Sequence, residues 1–94
     1  MVMRLGQVVT SKAGRDKGKW FIIVGFQDKW VLVADGSSRK VANPKRKNPK
    51  HLAVTNYVAE EIGTKLATGQ KVYDRDLRSF LDSFTDGLSC QGGR

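Results

Sequence analysis

Apolar positions change their spacing once along the chain, near residue 56. Before that point, short stretches rich in β-branched and aromatic residues recur: LGQVVTSK (Leu5 to Lys12), KWFIIVGF (Lys19 to Phe26), WVLVAD (Trp30 to Asp35), RKVA (Arg39 to Ala42) and a final HLAV (His51 to Val54). Residues of these types fit a pleated, half-buried surface, so each stretch predicts a strand. The connections AGRDKG, QDK and GSS are short and carry turn residues, which predicts consecutive strands paired antiparallel as a meander. NPKRKNP, with its two prolines, interrupts before the last strand. Five short strands are too few for a useful two-sheet sandwich, and curling into a small barrel is the economical way to cover their edges.

Beyond residue 56 the period becomes helical. Val58, Ile62 and Leu66 recur at four-residue spacing after Asn56, with Glu60 and Glu61 early in the segment and Gly69 just past its end. Tyr73, Leu77, Phe80, Leu81 and Phe84 form a second helical stripe, with Asp74 or Asp76 as its N-cap. Apolar stripes of this kind are packing surfaces. The predicted architecture is mainly β with C-terminal α: a five-stranded barrel over residues 1–55, then a helical hairpin over 56–94 whose Gly/Ser-containing end from Asp86 frays.

Composition narrows the function classes. Ninety-four residues at 39% hydrophobic content support one modest core and no enclosed substrate cavity. The longest apolar run, FIIVGF, is six residues where a membrane span needs about 20. MVMRLGQVV lacks the apolar region and cleavage site of a signal peptide, so a cytoplasmic location is expected. Cys90 is the single cysteine and His51 the single histidine, so neither an internal disulfide nor a Cys/His metal site can be assembled. The acidic pairs EE and DRD stand where helices begin, which reads as helix-start charge and not as an acid/base pair. No enzyme activity, cofactor or small-molecule substrate is expected.

Charge then points to a partner. Residues 1–50 carry twelve Lys/Arg against three acids, net +9, whereas residues 51–94 are close to neutral at −1. A polyanion should therefore meet the first half, and nucleic acid is the leading candidate. Two basic segments stand out. KAGRDKGK joins the first two predicted strands, placing Lys12, Arg15, Lys17 and Lys19 around Gly14 and Gly18, which let a backbone approach a ligand closely. It is not a P-loop, because no G-x-x-x-x-G-K-[ST] is present. The second, Lys40 to Lys50, sets five cations within eleven residues: Lys40, Lys45, Arg46, Lys47 and Lys50, with Arg39 just before and His51 just after. Pro44 and Pro49 stiffen it and keep the cations displayed. If the last strand pairs with the first, the two segments meet in one positive surface. Trp20 and Trp30 each begin a strand beside a lysine, where a ring can serve the core or stay exposed for stacking on unpaired bases.

The stretch GQVVTSKAGRDKGKWFIIVGFQDKWVLV resembles a KOW motif, and SRKVANPKRKNPKHLAVT is similar to the basic end of KOW-type ribosomal proteins of the archaeal and eukaryotic large subunit. The resemblance covers Leu5 to Thr55. It implies an SH3-like β-barrel that binds RNA, ribosomal RNA first, through its loops, with ribosomal proteins as further partners and a ribosome-associated location. Carried over position by position, Gly14, Arg15, Lys17 and Gly18 match the motif's loop, and Lys45, Arg46, Lys47, Lys50 and His51 match the basic segment. The helical hairpin lies outside the resemblance, which leaves open a permanent ribosomal subunit or a factor that visits the ribosome. Readings of another class are a protein-interaction adaptor and a nucleic-acid-binding module of a transcription complex.

Overall fold

A computed structural model describes residues 3–92, with side chains described for residues 3–84. Five antiparallel strands form one sheet: β1 (Gln7–Ser11), β2 (Trp20–Gln27), β3 (Trp30–Ala34), β4 (Lys45–Lys47) and β5 (Leu52–Val58). Their order is β4-β3-β2-β1-β5, so the last strand does return beside the first. Short 3-10 turns precede β2, at Gly14–Asp16, and β5, at Pro49–His51. Two helices follow, α1 (Glu60–Ala67) and α2 (Asp74–Gly92). Among the described residues, no helix is long and apolar enough to cross a membrane.

The sheet curls without closing into the expected barrel. β4 and β5 are its opposite edges and share no ladder, yet only residues 48–51 connect them. Laid flat, the end of β4 and the start of β5 would stand about 19 Å apart across the strands and about 23 Å apart along them. Five Cα steps reach at most about 18 Å, so the sheet must bend until its edges approach. That bend buries the inner face, where Val9, Phe21, Ile23, Val31, Val33 and Leu52 pack together.

The outer face is covered by the helices. Val8, Ile22 and Ala34 of the sheet pack against Ala59, Ile62, Val72, Leu77 and Leu81. Alternation along β2 thus sends Phe21 and Ile23 inward, and Trp20, Ile22 and Val24 to the helix side. Both faces being covered explains the continuous apolar run from Trp20 to Val24, while Phe26 at the end of β2 is exposed. The predicted helical stripe is a packing surface, and what it packs on is this chain's own sheet.

Several boundaries differ from the sequence-based expectation. The predicted strand at Arg39–Ala42 does not form. The Asp35 carboxylate instead accepts from the Ser37 and Arg39 amides, both at 2.8 Å, and from the Ser38 hydroxyl at 3.1 Å. Nearby, the Val41 amide donates to Asp74 of α2 at 2.6 Å. Those donors are spent, and the edge strand is taken by Lys45–Lys47, which pair with Val33, Leu32 and Val31. β5 runs on to Val58, past the expected barrel limit at residue 55, so Asn56 lies in a strand and α1 starts after Ala59. Asp76 acts at the start of α2, accepting from the Tyr73 amide at 3.0 Å. α2 continues through Gly92, over most of the end expected to fray; the Cys90 side chain and residues 93 and 94 lie outside the described residues.

Gly6 sets how closely sheet and helix approach. It has φ +84, and a Cβ there would stand 2.6 Å from the Ala59 carbonyl oxygen and 2.9 Å from the Gly63 Cα. Both obstacles are backbone and cannot swing aside. Gly6→Ala is expected to destabilise the fold by at least about 2 kcal/mol, from left-handed strain and the displaced helix together. Urea unfolding measures this, and a neutral outcome would refute the close approach.

Candidate functional site

The two basic segments converge. β5 pairs with β1 through Ser11 opposite Leu52, which brings the residues before β5 alongside those after β1. The Lys12 amide donates to the His51 carbonyl at 2.7 Å, joining the segments directly. A side-chain link repeats the junction from the other edge, where Lys47 Nζ donates to the Ala13 carbonyl at 3.5 Å. Lys45 Nζ bonds the Asp16 carboxylate, and Lys47 Nζ lies 4.0 Å from the same oxygen.

Asp16 changes the roles of two candidates. Lys45 and Lys47 alternate with Arg46 along β4, so both point inward to Asp16 while Arg46 faces away. Lys47 is only 8% exposed. An inward-pointing cation on an edge strand deters pairing with another chain, and here it also holds the loop. These two lysines are therefore tethers. Six other cations on the joined segments are exposed: Lys12, Arg15, Lys17, Lys19, Arg46 and Lys50, with His51 exposed beside them.

The hydrogen bond from the Lys45 ammonium holds the Asp16 carboxyl below the usual carboxylate range. Desolvation opposes that shift, and the charges of Lys45, Lys47 and Lys19 reinforce it. A depressed folded-state value means the tether stabilises above the unfolded value of 3.8 and is lost as pH falls through the folded one. Asp16→Asn is expected to cost about 1 to 3 kcal/mol near neutral pH, because it leaves Lys47 buried without its counter-charge. The gap to wild type should close below about pH 4. Urea unfolding across that range checks the sign, and a gap that persists in acid places the stabilisation elsewhere.

The glycine loop has open glycines and partly committed amides. Gly14 and Gly18 do adopt positive φ, +79 and +88, and their backbones face open space. The amides of Lys17, Gly18 and Lys19, however, donate to the carbonyls of Gly14, Ser11 and Asp16 within the loop. The side chains of Arg15, Lys17 and Lys19 remain exposed around it. Arg39 lies in the turn built on Asp35, and Lys40 precedes Val41, whose amide is tied to α2 through Asp74.

The tryptophans divide. Trp20 is half-buried and meets Phe84 edge to face, ring centroids 5.1 Å apart, so it serves the core. Trp30 is 37% exposed at the start of β3. Beside it lies a cleft of about 390 Å³ lined by Lys29, Trp30, Asn48, Pro49 and Lys50. Sequence reading missed Asp16, Lys29 and Asn48. Asp16 was visible as the one acid inside GRDKG, and Lys29 as the cation beside Trp30; the position of Asn48 depends on the register of β4 against β3.

Compared with known proteins, the chain matches no protein-family model and no curated sequence. Its surface must speak for its function.

Proposed function

We propose that the chain is a non-catalytic RNA-binding protein that grips phosphates with the joined basic loops of its small curled sheet. The observation that carries this reading is the junction itself: Lys12 bonded to His51, and Lys47 reaching Ala13, unite segments 12–19 and 45–51 into one electropositive surface. Six exposed cations on a scaffold stiffened by backbone pairing lose less freedom on meeting a phosphate chain than they would on a loose arm. Phosphate contacts of this kind position an RNA and give affinity without reading sequence.

The finer assignment is an SH3-like fold of the KOW type, left open between β4 and β5, with ribosomal RNA as the expected partner and the ribosome as the expected location. Support comes from the KOW-like stretch spanning β1 to β3, the meander order, and the return of β5 beside β1. The test is RNA binding by the intact chain as salt is raised. Binding that is absent, or indifferent to salt, would reject the reading.

A further inference from the structure

One feature of the surface goes beyond charge. Trp30 stands opposite Gln27 in the β2–β3 pairing, and Lys47 is opposite Val31 in the β3–β4 pairing. Continuing β4 by one residue brings Asn48 alongside Trp30, after which the chain turns at Pro49. The cleft beside Trp30 therefore combines an indole, a proline ring, a carboxamide and two exposed lysines, Lys29 and Lys50. Asn48 Oδ1 already accepts from the Lys50 amide at 2.9 Å, which leaves its NH2 group as the donor toward a ligand.

That chemistry selects its occupant. The lysines repel a cationic ligand, so a trimethylammonium group or a basic peptide does not fit. An extended aliphatic chain would leave the carboxamide donor unpaired. A flat aromatic ring with acceptors on its edge and a phosphate attached satisfies the indole, the amide and both cations together. The cleft is also continuous with the basic junction, because Lys50 leads within one residue to His51, whose carbonyl holds Lys12.

We infer that the cleft takes one unpaired RNA base stacked on Trp30, its flanking phosphate held by Lys29 and Lys50. This rests on the reading of the basic junction as an RNA-binding surface, and it turns a sequence-blind phosphate grip into one that prefers single-stranded segments.

The experiment compares three ligands of equal charge on the intact chain: a single-stranded RNA, the same strand with abasic sites, and a duplex. Wild type should bind the abasic strand roughly 5- to 150-fold more weakly than the intact strand. Trp30→Ala should reduce the intact strand to the abasic level and leave abasic and duplex binding unchanged, with Trp30→Phe restoring part of the difference. Arg15→Ala with Lys17→Ala should weaken all three ligands alike. Should wild type fail to distinguish intact from abasic RNA, base stacking is wrong while phosphate binding stands, and that comparison needs no variant. Equal discrimination in wild type and Trp30→Ala would put the base elsewhere. Failure of every ligand to bind would overturn both readings.

Discussion

Raising salt from about 50 to 200 mM will weaken single-stranded RNA binding by roughly 300-fold. Six exposed cations, Lys12, Arg15, Lys17, Lys19, Arg46 and Lys50, are available to phosphate. Each neutralised phosphate of a single strand contributes about −0.7 to the slope of log K against log salt, so six contribute about −4. Removing Arg15, Lys17 and Lys50 together should halve that slope, to about −2, and weaken binding to every sequence alike. Substituting Lys45 and Lys47 should behave differently. Their ammonium groups are committed to Asp16 and Ala13, so stability falls before the salt slope does. Filter binding at four salt concentrations, with urea unfolding of each variant, separates the outcomes. A slope untouched by the triple substitution would move the interface off these loops.

Leu77→Ala is expected to cost about 2 to 5 kcal/mol. Leu77 is completely buried, packed with Ile62, Val72 and Leu81 against Val8, Ile22 and Ala34 of the sheet. Truncation there removes buried apolar surface and leaves a cavity that the sheet and α2 cannot readily close, since Gly36 already brings the chain into backbone contact with Asp74 and Arg78 of α2. In a domain of this size the melting temperature should fall by more than about 10 °C. RNA affinity measured where the variant remains folded should not change, because Leu77 is distant in role from the basic loops. A loss under about 1 kcal/mol would mean that α2 contributes little to the core, contrary to its packing.

Much of the plan was legible because its signals are local. Turn chemistry at QDK yields a two-residue connection, with Asp28 at φ +55 between Gln27 and Trp30. Gly69, also at positive φ, ends α1 where the pattern predicts. The errors have a common physical origin. Arg39–Ala42 has strand composition, yet its backbone donors are captured by the Asp35 and Asp74 carboxylates, the second of them thirty-three residues away. Lys45–Lys47 has no strand composition, yet β3 offers it an unpaired edge and Asp16 offers it a counter-charge.

Residue types alone determined that this protein would be a small β meander followed by amphipathic helices, with its net positive charge in the first half. Hydrogen-bonding distance and burial decided the rest: which lysines stay exposed and which are spent on Asp16, which tryptophan packs against Phe84, and which face of the sheet the helices cover. Side-chain charge and turn propensity are properties of a residue and its neighbours. Exposure and pairing depend on segments that meet only when β5 pairs with β1, bringing residue 12 to residue 51, and the sheet curls, bringing residue 47 to residue 13.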